Sequence, residues 1–425
     1  MLCVNLVGHF FMAIPVSSKG QTIVWPEGGV TRVPYRIYTD PEIFRREMER
    51  IFCGASWAYA GLEVEIPASG DYLVTRIGDR SVVIARDEDG SIHGFANRCA
   101  HRGVKVCRQH RGNNRFFVCP YHQWTYDIRG RLRGVPFIKG VNKQGGMPED
   151  FSREDHNLPA LAITTRGGVI FASFGQDLPA LEDYLGKTNC AYFDRVFDGR
   201  ELVVLGYSRQ LIPANWKLMF ENIKDPYHAS LLHVFLVTFG LFRADQKSQV
   251  RMDETGRHGL LISRRGKQKA TEATRDIINL KEDFTLADQR LLDPVKEFAD
   301  DATVVMQTIW PNLIVQQQSN TLALRQIRPR DPGTFELHWT FFGYADDDAS
   351  MVRRRLRQAN LMSPAGLVSA DDSEVIKLAQ EGVAQYRDDA SVLLLGGRGT
   401  ADEEHMVTES AIRAFYSHYR EVMEL

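Results

Sequence analysis

The apolar and polar positions change their pattern twice along the chain. Across residues 37–52 apolar side chains recur every three or four positions, with Asp40 as a plausible N-cap and Pro41 in the first turn, which predicts a helix. Across residues 57–174 short β-rich runs are separated by glycine-containing turns, which predicts a small all-β module. The chain therefore changes fold class after its first helix.

After residue 175 helical and strand patterns are mixed, and the last apolar stripe, from about Thr408, predicts a final helix. This mixture favours an α+β fold with an antiparallel sheet. The chain has 425 residues, enough for two or three domains. The predicted division is an N-terminal segment at 1–54, the all-β module at 55–174 and the mixed region at 175–425.

Composition excludes several classes of protein. Hydrophobic residues make up 44% and charged residues 25%, which is typical of a soluble globular enzyme and not of a disordered or fibrous chain. Fifty-two Lys and Arg residues balance 54 Asp and Glu residues, for a net charge of -2. Because so balanced a total provides no broad basic surface, we expect neither a nucleic acid nor a membrane as partner.

Six cysteines are too few for a disulfide scaffold, so we expect a reducing compartment and a cytoplasmic protein. The apolar run at residues 2–16 has no basic residue before it and is interrupted by polar residues. It fits neither a secretory signal nor a membrane-spanning helix. We interpret it as a loose leader or an over-extended start.

Two short loops of the all-β module carry metal-binding residue types. Cys99 and His101 lie in one loop, and Cys119 and His122 lie in the other. Zinc is one alternative, but structural zinc loops usually present paired cysteines or paired histidines. One cysteine and one histidine per loop suit a [2Fe-2S] cluster, with both thiolates on one iron and both imidazoles on the other.

A second group of ligand types lies in the mixed region. His228 and His233 are five residues apart, and mononuclear non-haem iron uses two histidines and one carboxylate. On a regular helix five residues turn a side chain by about 140°, which suits one metal ion poorly. Because Pro226 lacks a backbone donor, we predict a kink near 222–226 or a widened π turn between the histidines. The alternative for His228 is a hydrogen-bonded core histidine.

The C-x-H-R-G motif at Cys99 and the C-x-Y-H-x-W motif at Cys119 closely resemble the Rieske module of bacterial aromatic-ring-hydroxylating oxygenases. The D-x2-H-x4-H pattern at Asp225 resembles the catalytic-iron helix of the same family. The resemblance runs from about Val33 to the end and is closest to large (alpha) subunits acting on salicylate, anthranilate or terephthalate. It implies an all-β Rieske [2Fe-2S] domain followed by a helix-grip catalytic domain with a central antiparallel sheet.

The resemblance also implies the roles of individual residues. The Rieske cluster would be held by Cys99, His101, Cys119 and His122. Mononuclear Fe(II) would be held by His228, His233 and Asp372. The alternative for Asp372 is that it and Asp371 cap the helix that follows. Asp225 would link the cluster histidine His122 to His228 of a neighbouring subunit, and Asn222 either faces the iron or hydrogen-bonds within its helix.

Substrate and partners follow from the same reasoning. Alternation along the strand at 321–327 places Arg325 on one face, where its guanidinium could clamp a carboxylate; the alternative is an ordinary salt bridge. Met406 stands where terephthalate-type relatives would carry a second arginine, which argues against a dicarboxylate. The chain has no dinucleotide-binding glycine motif and no ferredoxin cysteine run, so it needs a ferredoxin and an NAD(P)H-dependent ferredoxin reductase.

Together these features predict the terminal oxygenase alpha subunit of a multicomponent system. It would use O2 and NAD(P)H-derived electrons to hydroxylate a small aromatic acid of the salicylate or anthranilate type. The resemblance implies a small beta subunit in an α3β3 hexamer. The alternatives are a Rieske O-demethylase or monooxygenase without a beta subunit, and a Rieske electron carrier whose second histidine pair is structural.

Overall fold

The structure is a computed structural model that describes residues 23–265, 277, 280 and 284–425. The apolar run at residues 2–16, interpreted above as a leader, lies outside the described residues. No helix in the described part of the chain combines the length and the apolar character that crossing a membrane requires.

The first helix, α1 (Pro41–Glu47), begins where its cap predicts. Asp40 accepts hydrogen bonds from the backbone N–H groups of Glu42 and Ile43, and the helix continues as a π-helical turn over Met48–Phe52. The predicted start near residue 37 is wrong, because Tyr35–Tyr38 forms a separate 3-10 helix. The residue before a proline avoids the helical conformation, so Pro41 fixes the start of α1.

The predicted all-β module is confirmed, and we call it the β unit. Its strands are β1 (Ala58–Leu62), β2 (Asp71–Ile77), β3 (Arg80–Arg86), β4 (Ile92–Ala96), β5 (Arg111–Asn113), β6 (Phe116–Val118), β7 (Thr125–Asp127), β8 (Leu132–Gly134), β9 (Ala160–Arg166) and β10 (Val169–Ser173). Seven of them form a sheet in the order β1-β10-β9-β4-β3-β2-β5, and β6-β7-β8 form a second sheet. The two cysteine-histidine loops follow β4 and β6.

The region after the β unit, which we call the C-terminal unit, has the predicted antiparallel sheet. Its strands are β11 (Leu202–Ile212), β12 (Ser248–Met252), β13 (Gly259–Ser263), β14 (Val304–Ile309), β15 (Leu313–Gln318), β16 (Thr321–Asp331) and β17 (Thr334–Tyr344). They pair in the order β11-β17-β16-β15-β14-β13-β12. Six of the seven strands are therefore sequence neighbours in a meander, and β11 joins at the far edge beside β17.

Helices cover this sheet. They are α2 (Leu181–Leu185), α3 (Lys187–Val196), α4 (Trp216–Lys224), α5 (Pro226–Ala229), α6 (Val234–Thr238), α7 (Ala349–Met362), α8 (Leu367–Gln385) and α9 (Ser410–Met423). The final helix confirms the one predicted from about Thr408. Seven of the nine residues of α4 are buried, so its position is fixed by the elements around it.

Buried polar side chains connect the two units. Asn312 accepts a hydrogen bond from the backbone N–H of Tyr59 and donates one to its carbonyl oxygen, and Gln326 also donates to that oxygen. These side chains lie beside β15 and on β16, whereas Tyr59 lies on β1. Because buried amides need partners, the contacts fix how the β unit sits on the large sheet.

One fully buried ion pair links the N-terminal segment to α4. Lys217 Nζ lies 2.6 Å from Glu47 Oε1, and both side chains are 0% exposed. The other Glu47 oxygen accepts from Trp216 Nε1, and Tyr419 of α9 also donates to this carboxylate. Burial lowers the pKa of Lys217, and the Glu47 carboxylate opposes that shift. The pair therefore joins α1, α4 and α9 at one point.

The change Lys217→Met should destabilise the protein by about 3–5 kcal/mol, because it leaves the Glu47 carboxylate buried without its counter-charge. The measurement is the midpoint of thermal unfolding. The control is Arg45→Met, which removes an exposed arginine that pairs with Glu42 and Glu49 and should change the midpoint little. An equal effect of the two changes would contradict the structural role of the buried pair.

Candidate active site

The helix that carries the candidate ligands is broken at Asp225, as the sequence predicts. Asp225 has φ -101° and ψ 93°, outside the helical region, and it separates α4 from α5. Its Oδ1 atom accepts hydrogen bonds from the backbone N–H groups of Tyr227 and His228, at 2.9 and 3.3 Å. Pro226 is the physical reason, because a proline disfavours the helical conformation in the residue before it.

A second interruption separates the two histidines. Helix α5 ends at Ala229, and His233 stands just before α6 with φ -88° and ψ 68°. The chain therefore turns between them, and the π turn considered above does not form. Because no regular helix runs from His228 to His233, the unfavourable angle of 140° does not apply. Their ring centres lie 5.4 Å apart at 73°.

Asp372 completes a compact group with the two histidines. Its Oδ1 atom lies 3.4 Å from His228 Nε2 and 3.1 Å from His233 Nε2. One ligand atom from each residue lies within 4.8 Å of the others. The alternative of a helix cap is wrong for Asp371 and Asp372, because α8 begins at Leu367 and both residues lie inside it.

The charges of this group fit a cation. Burial disfavours a charged His228 ring, but the Asp225 and Asp372 carboxylates outweigh it and raise the pKa of His228 to about 10. Burial opposes ionisation of Asp372, yet both histidines hold the pKa of that carboxyl well below its usual range. Two imidazoles and one carboxylate are the donor set of non-haem Fe(II), so these residues fit the ion.

Asn222 faces this group. Its Nδ2 atom donates to Asp372 Oδ1 at 3.1 Å and lies 3.3 Å from His228 Nε2. Its Oδ1 atom is buried and has no partner in the described part of the chain. Of the two alternatives for Asn222, the structure places its side chain beside the candidate ligands.

The same residues line a largely apolar pocket that also contains Arg325. Arg325 is 3% exposed, lies on β16 as predicted, and stacks 4.5 Å from the Trp339 ring. Its Nη2 atom lies 3.6 Å from the sulfur of Met306. The Arg325 Nε atom has no partner among the described residues, and the expected alternative of a salt bridge is not observed there. Burial lowers the pKa of Arg325 to about 10, so it stays charged at neutral pH.

One pocket residue, Gln316 on β15, is missed by the sequence reasoning. Its Nε2 atom donates to Gln318 Oε1 at 2.9 Å, and its own Oε1 is buried with no partner in the described chain. The signal that could have revealed it is the run of three glutamines at 316–318 in an otherwise apolar strand. A buried acceptor without a donor is uncommon, and Gln316 is one of the residues that line the pocket.

The ligands predicted in the two cysteine-histidine loops of the β unit also come together. The thiols of Cys99 and Cys119 are buried and adjacent; burial raises the pKa of Cys119, and the Cys99 thiol adds to the shift. The rings of His101 and His122 are 4.6 Å apart, and His101 Nδ1 has no partner among the described residues. Tyr126 Oη lies 3.3 Å from Cys99 Sγ. Paired thiols and paired imidazoles suit the two irons of one cluster.

Comparisons with known proteins agree with this geometry. Residues 193–425 match the family described as the catalytic domain of the ring-hydroxylating alpha subunit, and residues 56–144 match the Rieske [2Fe-2S] domain. The chain is 50% identical to the large oxygenase component of salicylate 5-hydroxylase from Ralstonia sp, over 94% of this chain and 96% of that protein. It is 41% identical to the anthranilate 1,2-dioxygenase large subunit from Burkholderia cepacia, over 94% and 95% of the two chains.

A solved structure supports the fold. Naphthalene 1,2-dioxygenase from Rhodococcus sp. superposes with a TM-score of 0.75 at 26% identity, over 92% of this chain and 94% of that chain. The α+β fold, the Rieske [2Fe-2S] cluster and the mononuclear non-haem iron predicted from the sequence are thereby confirmed, and the alternative of a pure electron carrier is excluded. The chain therefore belongs to the ring-hydroxylating alpha-subunit family, as the large subunit of a Rieske non-haem iron oxygenase.

Proposed function

We propose that this large subunit hydroxylates a small aromatic carboxylate of the salicylate or anthranilate type, at Fe(II) held by His228, His233 and Asp372. The observation that carries the proposal is the pocket that joins these ligand atoms, within 4.8 Å of one another, to the buried guanidinium of Arg325. When bound, the iron supplies the centre at which dioxygen is activated. His228, His233 and Asp372 would hold the ion, and three protein ligands would leave further coordination positions free.

Arg325 selects the carboxylate. Its guanidinium is charged, 3% exposed and without a counter-charge at ion-pair distance in the described chain. A carboxylate can accept two parallel hydrogen bonds from a guanidinium, which fixes both the position and the orientation of an aromatic acid. Met406 is 0% exposed and belongs to the same apolar cluster as Leu236 and Met362, which line the pocket. This apolar wall favours a substrate with one carboxylate over a dicarboxylate.

Asp225 carries the connection between subunits in this proposal. Two backbone N–H groups hold its Oδ1 atom, while Oδ2 lies 3.5 Å from His228 Nδ1. The Asp225 side chain is 24% exposed, so it can be reached from outside the chain. His122 is also partly exposed. We propose that Asp225 accepts a hydrogen bond from the partner subunit's His122 in a head-to-tail ring, which brings each cluster beside the next chain's iron.

The remaining parts of the system complete the proposal. Cys99, His101, Cys119 and His122 hold the [2Fe-2S] cluster, which a ferredoxin and an NAD(P)H-dependent reductase supply with electrons. A small beta subunit completes an α3β3 hexamer. The salicylate 5-hydroxylase relative, itself a large oxygenase component, supports a multicomponent system. We also propose that the domains divide at 54/55 and 174/175. A trimer without a beta subunit would be recognised by the native mass of the purified complex.

The change His228→Ala should abolish binding of the catalytic iron, because it removes one of three protein ligands. Iron content should fall from about three to about two atoms per chain, while the visible spectrum of the cluster persists. His233→Ala should behave in the same way. Loss of the cluster spectrum in either variant, or retention of all the iron, would contradict the ligand assignment.

The change Asp225→Asn should leave both metals largely bound and yet stop turnover. The amide removes the carboxylate charge behind His228 and changes the hydrogen bond to the neighbouring subunit. The measurement is the rate at which the reduced cluster is reoxidised by oxygen and substrate in a single turnover. Rapid reoxidation and full activity in this variant would show that Asp225 is not the bridge.

The change Arg325→Met should weaken binding of aromatic acids by roughly 10–100-fold, the equivalent of about 1.5–3 kcal/mol for hydrogen bonds to a charged group. Kd values for salicylate, anthranilate and benzoate, and the products formed with ferredoxin and reductase supplied, test this. The matched control is Arg330→Met, an exposed arginine at the end of the same strand, which pairs with Glu336. Equal binding of salicylamide and salicylate by the unaltered protein would contradict the carboxylate assignment.

A further inference from the structure

We infer that Asp371 is a positioning residue for the iron: its carboxylate holds the His233 ring from behind and directs Nε2 toward the metal. This inference rests on the proposed assignment of His233 as an iron ligand. Asp371 is the member of the acidic pair on α8 that the ligand set leaves unused. The structure gives it a contact of its own.

The two nitrogens of His233 face different carboxylates. Nδ1 lies 3.2 Å from Asp371 Oδ2, and Nε2 lies 3.1 Å from Asp372 Oδ1. A carboxylate accepts and does not donate, so Asp371 favours the tautomer with hydrogen on Nδ1. That tautomer leaves the Nε2 lone pair free for a metal ion on the side of Asp372.

His233 depends on a side-chain partner for its orientation. It stands between α5 and α6, outside regular helix, so helical packing does not hold it. The ring is 3% exposed, which excludes water as an easy partner for Nδ1. Asp371 is the hydrogen-bond partner that the described residues provide for that nitrogen. Without it, a buried N–H group would lack an acceptor, and buried donors of this kind are rarely left unpaired.

Helix geometry explains why one residue of the pair binds and the other positions. Adjacent residues on a helix point about 100° apart, so they cannot both reach the same metal ion directly. Asp372 is 5% exposed and lies among the ligands, whereas the Asp371 side chain is 39% exposed and reaches the outer edge of His233. A single turn of α8 therefore supplies the ligand Asp372 and the residue Asp371, which positions the ligand His233.

His228 also has a carboxylate near its Nδ1 atom. That atom lies 3.5 Å from Asp225 Oδ2, but it forms no hydrogen bond among the described residues. Each candidate imidazole thus has a carboxylate near Nδ1, from α8 for His233 and from the helix break for His228, and only the one at His233 is hydrogen-bonded. Asp225 has a second proposed role between subunits, whereas Asp371 serves the ring alone.

The experiment measures Fe(II) affinity in the full-length protein with its cluster intact, by competition with a chelator. Asp371→Ala and Asp371→Leu remove the acceptor at a partly exposed helical position where both residues are well tolerated. Each should weaken Fe(II) binding by roughly 10–100-fold. Asp371→Asn should lose less, because its amide oxygen can still accept from Nδ1. The Co(II)-loaded protein should show a changed visible spectrum in the two acceptor-free variants.

The matched control is Glu374→Gln, which changes an exposed carboxylate on the same helix that pairs with Lys377. It should leave Fe(II) affinity and the Co(II) spectrum unchanged. Wild-type Fe(II) affinity in either acceptor-free variant overturns the role of Asp371, provided that His233→Ala loses iron. If His233→Ala itself retains iron, the ligand assignment fails and the role of Asp371 fails with it. The two failures are therefore distinguishable.

Discussion

The helix break at Asp225 is the constraint on which the rest of the site depends. Pro226 keeps Asp225 out of the helical conformation, so α4 must end at Lys224 and α5 must start in a new direction. The break frees the Asp225 carboxylate to cap α5 and to stand behind His228. A continuous helix would point His228 and His233 about 140° apart and would leave Asp225 on the helix surface. The break at Pro226 thus sets the direction of α5 and places Asp225 behind His228, and the second interruption after Ala229 lets His233 approach the same metal ion.

The remaining groups come from elements distant in sequence, and packing brings them to the break. Helix α8 contributes Asp371 and Asp372, and strand β16 contributes Arg325. Helix α4 is buried against the sheet on one side and held through Lys217 to Glu47 on the other. Because α4 cannot shift without exposing a buried charge, Asn222 at its end stays beside Asp372. The buried pair of Lys217 and Glu47 thus lies in the scaffold, whereas Arg325, which lacks a counter-charge among the described residues, lines the pocket.

The sequence predicts those features of the fold and the site that depend on a local pattern or on a motif. The helix cap at Asp40, the break near Pro226 and the alternation that faces Arg325 to one side all follow from residues near in sequence. The sequence could not predict that the Arg325 guanidinium lacks an ion-pair partner among the described residues, because this depends on which strands lie beside β16. Nor could it predict that Gln316 lines the pocket, or that the Nδ1 atom of His233 is hydrogen-bonded to Asp371. Pairing order and register decide these contacts, and both are non-local.

The pocket contains a site that suits a cation and, beside it, a buried positive charge that suits an anion. Two imidazoles and a carboxylate form a group that is completed by a cation, while the buried guanidinium of Arg325 is completed by an anion. The charge of Asp372 acts on both, since it also raises the pKa of Arg325 against the effect of burial. The described residues supply neither the cation nor the anion, and both places line one pocket. A single cavity therefore combines a donor set suited to a metal ion with a buried positive charge suited to a carboxylate.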